Sequence, residues 1–198
     1  ETTTEDNSGS EGGLSLETAR LEDIELIYVD EQSDQNVAVQ VREALFSGNF
    51  SGNQFSLVST ADLTTRFVDV GTSRYLAGKK IAYDANILMD LNENTYDLKA
   101  VELSLGNNIF NLEGLIRLTD AYTDYDLAIH SDESSLEAIM QLMPKEYQAS
   151  LEGFESSGTF LFDANIKGKS DSKSQPAIDV KMELEDGRIS SPKLEDSF

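Results

Sequence analysis

The sequence predicts a mainly β protein, an antiparallel meander that forms a long curved sheet or groove, with one or two short helices near residues 134–152. Apolar and polar residues alternate with a period of two through most of the chain, as in strands that bury one face. Turn signals rich in Gly, Asn and Asp separate these segments. Only one segment has the spacing of an amphipathic helix.

The chain divides into a linker and one domain. Residues 1–13 are acidic, rich in Thr, Ser and Gly and almost free of apolar residues, which predicts a flexible linker. Residues 14–198 are predicted to form a single β-rich domain that is a segment of a longer protein, and this length is enough to bury a core. Its first strands are expected where apolar residues alternate: Leu14 and Leu16; Ile24, Leu26 and Tyr28; Val37, Val39 and Val41; Phe55 and Leu57; and Leu63 to Val70. Residues 71–80 are expected to form a loop whose Tyr75 and Leu76 reach the core.

The central meander spans Ile81 to Ile129 and organises the rest. Its first segment places a set of apolar residues on one side and Asp84, Asn86 and Asp90 on the other. The alternation shifts by one residue at Ala100-Val101, which predicts a β-bulge, because an uncorrected shift would turn every later side chain to the wrong face. The apolar positions of its segments are Ile81, Tyr83, Ala85, Ile87, Met89 and Leu91; Tyr96, Leu98, Val101, Leu103 and Leu105; Phe110, Leu112, Gly114, Ile116 and Leu118; and Tyr125, Leu127 and Ile129.

A helix and further strands follow the meander. Ser134 and Glu137 have capping-box spacing. One helical face is formed by Leu136, Ile139, Met140 and Met143. Pro144 ends this helix or opens a second short one. Strands resume around Phe160 and Phe162, and Asp186-Gly187 predicts a two-residue hairpin that starts a new strand at Arg188.

Composition excludes several partners and structures. Lys and Arg number 15 against 37 Asp and Glu, so the formal charge is −22 and nucleic acid or an anionic membrane surface would be repelled. Cysteine is absent, which excludes disulfides without fixing the compartment. No apolar run approaches the roughly 18 residues that a membrane-spanning helix needs.

Catalytic and metal-binding patterns are missing from the sequence, so we expect no catalytic residues, no metal, no cofactor and no enzyme activity. His130 is the only histidine, and its phase places it opposite the apolar positions. The segment from Asp90 starts like a calcium loop, but its sixth position is Thr95 instead of Gly and its twelfth is Val101 instead of Glu. A strand-to-strand turn explains the same residues.

The apolar sides of the strands leave two architectures open. Two sheets could pack face to face and bury these sides as a β-sandwich, which would suit an interaction module that binds protein or carbohydrate. A single curved sheet would instead leave the apolar side open, and exposed apolar surface of that size usually marks a ligand or partner site. The alternation of apolar and polar residues does not distinguish these two architectures.

The sequence resembles the AsmA-like family of bacterial envelope proteins over most of Leu14 to Ile189. The resemblance rests on the order of several short segments more than on any one of them. These segments are Leu21-Glu-Asp-Ile-Glu-Leu-Ile-Tyr-Val-Asp, Phe46-Ser-Gly-Asn-Phe-Ser-Gly-Asn-Gln-Phe, Asn94-Thr-Tyr-Asp-Leu, Leu103-Ser-Leu-Gly, Phe110-Asn-Leu-Glu-Gly, Tyr125-Asp-Leu-Ala-Ile, the helix from Leu136 to Pro144, Ser157-Gly-Thr-Phe and Ile166-Lys-Gly.

The resemblance implies a non-catalytic periplasmic segment of a protein that an N-terminal helix outside this chain holds in the inner membrane. Such proteins act in outer-membrane biogenesis and are similar to bridge-like lipid-transfer proteins. The implied partner is a phospholipid or other acyl-chain ligand, and membrane contact is expected only through regions outside this chain. The residues expected to contact lipid are Tyr83, Ile87, Met89, Tyr96, Leu98, Phe110, Leu112, Phe160 and Phe162.

Overall fold

The computed structural model describes residues 17–31, 34–144, 148, 153–171 and 173–191. These residues form ten strands and one helix. In chain order they are β1 (Thr18–Asp30), β2 (Gln35–Gly48), β3 (Gln54–Val70), β4 (Ser73–Tyr75), β5 (Lys80–Asp90), β6 (Thr95–Leu105), β7 (Asn108–Leu118), β8 (Thr123–Ser134), α1 (Leu136–Leu142), β9 (Glu155–Ser170) and β10 (Ala177–Ser190). The predicted mainly β fold is confirmed. The predicted linker, the strand at Leu14 and Leu16 and most of the possible second helix lie outside the described residues.

All ten strands belong to one antiparallel sheet. Its order is β1-β2-β3-β5-β6-β7-β8-β9-β10, and β4 pairs with the end of β3. Neighbours in sequence are therefore neighbours in space, as short turns between antiparallel strands require. The sheet is not closed: β1 and β10 are its two edges in the described part of the chain. The same residues contain no second sheet, so the fold is the open meander and not the β-sandwich alternative.

Two bulges in β6 preserve the alternation of the sheet. The pairing of β5 with β6 shifts between Asn86 and Ile87, and that of β6 with β7 shifts between Leu98 and Val101. Against β5 the extra residue of β6 is Lys99, since Ala100 pairs with Asn86; against β7, Lys99 and Ala100 together lie opposite Glu113. Lys99 and Ala100 are both exposed. The predicted bulge at Ala100-Val101 is confirmed, and its effect is to keep Leu98 and Val101 on the same face.

Helix α1 is capped by Ser135 and not by the predicted Ser134. The Ser135 side chain accepts a hydrogen bond from the backbone N–H of Ala138 at 3.1 Å. Ser134 still belongs to β8, where its hydroxyl donates to the carbonyl of Phe160 at 2.9 Å. Two serines stand side by side at this junction, and the pairing of β8 with β9 decides which of them is free to cap the helix.

The larger core cluster lies between α1 and the sheet. Ala138 and Ile139 of the helix pack with buried side chains of four strands, β5, β6, β7 and β9. The buried members are Ile81, Leu105, Phe110, Ala138, Ile139, Phe160, Phe162 and Ala164. The rings of Phe110 and Phe162 meet edge to face, with centroids 5.8 Å apart and an interplanar angle of 89°. A smaller cluster of Val39, Val41, Ala44 and Ala61 lies on β2 and β3.

Residues 71–80 contain a short strand that the sequence does not predict. β4 pairs Val68 with Tyr75 and Val70 with Ser73 across a tight turn at Gly71, whose φ is +57°. A three-residue strand is too short to show alternation, so the loop prediction is wrong here. The expectation that Tyr75 and Leu76 turn inward holds: both are half-buried, and Leu76 packs against the larger core cluster.

The Asp186-Gly187 segment is a bulge and not the predicted hairpin. β10 continues to Ser190, and its pairing with β9 only shifts register between Glu185 and Arg188. Gly158 on β9 lies opposite, and a Cβ there would lie 2.4 Å from the Cα of Gly187. Two glycines thus let the backbones of β9 and β10 approach closely, and the positive φ of Asp186, 48°, serves a bulge as well as a turn.

Candidate functional site

The two faces of the sheet differ in chemistry. We call "apolar face" the side that carries Ile81, Tyr83, Ala85, Ile87 and Met89 of β5 and the residues paired with them, and "outer face" the opposite side. Cross-strand pairing continues the apolar face from strand to strand without interruption. One such row consists of Leu57, Ile87, Leu98, Gly114, Leu127, Ile166 and Ile178. No lysine or arginine occupies a position of the apolar face in the described strands.

The sheet curls around its apolar face. The side-chain amide of Gln35 on β2 donates a hydrogen bond to the phenolic oxygen of Tyr125 on β8 at 3.1 Å. Five strand-to-strand steps separate β2 from β8, which is about 24 Å in a flat sheet. Both residues are in phase with the apolar face. The two strands can meet only because the sheet bends toward that face.

Two further relationships support this curvature. The Nε2 atom of Gln175, in the loop between β9 and β10, lies 3.2 Å from the position that a Cβ on Gly71 would occupy. Tyr28 on the edge strand β1 interacts electrostatically with Tyr125 and Tyr96. Burial of Tyr28, followed by the nearby charge of Asp30, raises the pKa of its phenol above the ordinary value. Strands from both halves of the sheet therefore approach each other at the Tyr28, Tyr96 and Tyr125 side chains.

All nine candidate lipid-contact residues lie on the apolar face, but they divide into two groups. Phe110, Phe160 and Phe162 are 0%, 4% and 5% exposed, and they pack in the core cluster that α1 covers. They present almost no surface to a ligand in this arrangement. The other six are half-buried: Tyr83, Ile87, Met89, Tyr96, Leu98 and Leu112. Phe55, Leu57 and Ile116 extend the same surface and are also half-buried; the sequence shows their alternation but not this proximity.

Coverage of the apolar face falls off toward β10. Helix α1 packs over β5 to β9 at the end of the sheet that contains Ile81 and Phe160. On β10, Ile178, Val180 and Met182 are on the apolar face and are 57%, 53% and 49% exposed. A continuous apolar surface thus runs from the half-buried centre of the sheet to an exposed edge.

The outer face is charged and contains the single histidine. His130 lies opposite Asp163 on β9, and its Nδ1 and Nε2 atoms are 2.7 Å and 2.8 Å from carboxylate oxygens of Asp163 and Asp132. Hydrogen bonds to Asp163 and then to Asp132 raise the pKa of His130 above its ordinary value. The predicted outward orientation is confirmed. Since no nucleophile or cleft adjoins this pair in the described residues, its geometry is that of a surface ion pair.

Surface depressions on the sheet are shallow and charged. One of about 470 Å³ lies over the β6 bulge and is lined mainly by residues of the outer face, among them Lys99, Glu113, Asp126 and Lys167. A second, of about 340 Å³, adjoins it near Arg117 and Asp124. Acidic and basic side chains alternate in both, and Lys167 already lies 3.1 Å from Asp126. Neither has the mostly apolar, enclosed lining that is typical of small-molecule sites.

The segment from Asp90 forms a turn. The side chain of Gln54 and the backbone N–H groups of Glu93 and Asn92 donate hydrogen bonds to the Asp90 carboxylate. These bonds hold the pKa of the Asp90 carboxyl below its ordinary value. Asn94 takes a positive φ of 49°. The acidic side chain caps a tight turn here, which is the structural explanation that the sequence also favoured.

The described residues show no sign of a metal site. They contain no group of three or more His, Asp and Glu side chains that could hold a metal ion. They also contain no helix that is long and apolar enough to cross a membrane. Comparisons of the chain with family models, with curated proteins and with solved structures give no match. The resemblance to AsmA-like proteins therefore stays a prediction.

Proposed function

We propose that this protein is a non-catalytic periplasmic segment of an AsmA-like protein, which binds or conducts lipid along the apolar face of its curled sheet during outer-membrane biogenesis. The observation that carries this proposal is the uncovered part of the apolar face around Ile87 and Leu98. In an ordinary globular protein a second layer would cover such a surface. Here α1 covers one end only, among the residues described.

The chemistry of this surface suits an acyl chain. The half-buried residues supply apolar and aromatic side chains, and the described strands place no lysine or arginine on this face that could neutralise a phosphate. A lipid would therefore be held by its chain, with its headgroup toward solvent. Each Å² of chain surface removed from water would contribute about 25 cal/mol. Curvature brings residues of β5 to β8 around the same chain and so increases the surface that is removed.

The test uses two substitutions on adjacent residues of β5 that point to opposite faces. Ile87 is half-buried on the apolar face, and Leu88 is 43% exposed on the outer face. We expect phospholipid or fatty acid to be found by mass spectrometry in organic extracts of the gently purified wild-type protein. Ile87→Asp should lose it, and Leu88→Asp should keep it. Circular dichroism of each variant verifies folding.

Two outcomes would contradict the proposal. One is an extract without lipid from the wild-type protein that also takes up no fluorescent fatty acid or phospholipid from vesicles. The other is equal lipid content in folded Ile87→Asp and Leu88→Asp. Lipid whose binding does not change when the apolar face is altered must be bound elsewhere.

A further inference from the structure

The edge strand β1 exposes apolar side chains on both of its faces. Leu26, Ile27, Tyr28 and Val29 are consecutive and are 42%, 63%, 47% and 60% exposed. Pairing of Leu26 with Val39 and of Tyr28 with Val37 places these two on the apolar face. Ile27 and Val29 consequently lie on the outer face. Ile27 and Val29 are therefore separate from the proposed lipid surface, whereas Tyr28 approaches Tyr96 of that surface.

The other edge of the sheet is different. On β10 the exposed large apolar residues are confined to the apolar face, and the outer face carries Asp179, Lys181 and Glu183. Natural proteins use such charges to prevent the backbone groups of an edge strand from pairing with other chains. Between Glu25 and Asp30, β1 has no charged residue on either face. Within the described part of the chain no charged side chain protects this stretch of the edge, which is therefore suited to accept another strand.

Charge around this edge selects the partner. Between Glu17 and Asp34 the sequence contains seven carboxylates and one arginine, and the carboxylates lie on both sides of the apolar segment. Arg20 pairs with Glu22 and Arg66 of β3 pairs with Glu25, so the acidic groups still outnumber the cations beside them. A second copy of the chain would bring the same acidic ends, together with its own formal charge of −22. Antiparallel pairing of β1 with itself would place Glu25 opposite Val29 and Ile24 opposite Asp30, with no cation opposite either acid.

We propose that β1 is a docking edge, which accepts as an additional strand an extended segment of another protein that is apolar in its middle and basic at both ends. Backbone groups of β1 between Glu25 and Asp30 would pair with the incoming strand. The exposed side chains of Leu26 to Val29 would be covered on both faces. Lysine or arginine at the ends of the segment would lie beside the carboxylates that flank β1 and would fix its position along the strand.

The probes are two synthetic ten-residue peptides with the same alternating valine and threonine centre. One carries two lysines at each end and the other two glutamates. Fluorescence anisotropy measures their binding to the wild-type protein at about 0.15 M and about 1 M salt. We expect the lysine peptide to bind about tenfold or more tightly than the glutamate peptide at the lower salt, and the difference to shrink at the higher salt.

Two variants with the same change of charge locate the binding. Ile27→Lys places a cation in the middle of the edge, whereas Val58→Lys changes an outer-face residue of the interior strand β3 that is 46% exposed. Ile27→Lys should weaken binding of the lysine peptide about tenfold, and Val58→Lys should leave it unchanged. Both variants should fold because neither position is buried, and circular dichroism checks this.

Several results would overturn the proposal: no binding of the lysine peptide up to about 1 mM, equal binding of the two peptides, or equal weakening by the two substitutions. Analytical sedimentation measures the oligomeric state as a further test. A wild-type dimer that Ile27→Lys dissociates would show that a second copy occupies this edge and would replace the proposed partner. Lipid content, which concerns Ile87 and not Ile27, stays an independent readout.

Discussion

The side-chain amide of Gln35 and the phenol of Tyr125 are hydrogen-bonded at 3.1 Å although 90 residues separate them in the chain. They belong to strands that are five steps apart in a single sheet. Their contact requires that the rows of alternating residues between them lie on a curved surface. We expect it to stabilise the curl without being required for folding, because the ladder hydrogen bonds between neighbouring strands remain when it is lost.

A double-mutant cycle tests whether this hydrogen bond couples β2 to β8. Tyr125→Phe and Gln35→Leu should each lower the free energy of unfolding by about 0.5–1.5 kcal/mol, as is usual for one neutral hydrogen bond. The double variant should lose less than the sum, because the second substitution has no partner left to remove. Urea unfolding of the four proteins gives the coupling. Strictly additive losses would mean that the contact contributes nothing to the curvature.

Gly114, the glycine of β7, is expected to tolerate substitution poorly. Its φ is +128°, and a Cβ there would lie 2.1 Å from the backbone oxygen of Asp126 on β8. Gly114→Ala should therefore destabilise the protein by about 3 kcal/mol or more, through both backbone strain and the clash. Gly106→Ala is the matched control, since Gly106 has φ +61° with nothing within 4 Å. Its cost should be about 1 kcal/mol. Equal urea unfolding midpoints for Gly114→Ala and Gly106→Ala would contradict the close approach of β7 and β8.

Phe110 and Ile109 are neighbours that face opposite sides of β7. Phe110 is fully buried under α1, whereas Ile109 is 45% exposed. Phe110→Ala should cost about 3–5 kcal/mol of unfolding free energy, and Ile109→Ala below about 1 kcal/mol. Thermal and urea unfolding measure both. A small loss for Phe110→Ala would show that α1 does not close this end of the apolar face.

The His130 pair predicts a pH dependence of definite sign. Hydrogen bonds to Asp163 and Asp132 raise the pKa of His130, so the folded state binds its proton more tightly than the unfolded chain. The stabilisation is complete below the unfolded pKa of about 6.5 and is lost as the pH rises through the folded value. His130→Gln should therefore destabilise the protein more at about pH 5.5 than at about pH 8.5, although by less than about 1 kcal/mol because the pair is exposed. A larger loss at the higher pH would contradict this assignment.

Local features of the fold follow from the sequence because they depend on neighbours in the chain. Alternation predicts most of the strands, and the phase shift at Ala100-Val101 predicts the bulge that the structure contains. Asp186-Gly187 shows the limit of such signals. A hairpin and a bulge both need positive φ, and the close approach of Gly158 from another strand decides between them.

The curvature of the sheet and the coverage of its apolar face by α1 could not be predicted, since both depend on contacts between residues that are distant in sequence. Nothing in the alternation of β2 indicates that Gln35 meets Tyr125. Periodicity gives Phe110 and Ile87 the same pattern, yet α1 buries the first and leaves the second half-buried. The candidate set was therefore placed on one face by the sequence, and only the structure separates its core members from those with accessible surface.

Site-specific photo-crosslinking would detect contact between acyl chains and the uncovered part of the apolar face. A benzophenone amino acid replaces either Met89, which is half-buried on the apolar face, or Leu88, which is 43% exposed on the outer face. The protein is illuminated with phosphate-labelled phospholipid, and bound label is counted after denaturing electrophoresis. We expect lipid label on the protein with the probe at position 89, and only background label with the probe at position 88. Equal labelling at both positions, or none at position 89 in a folded protein, would contradict it.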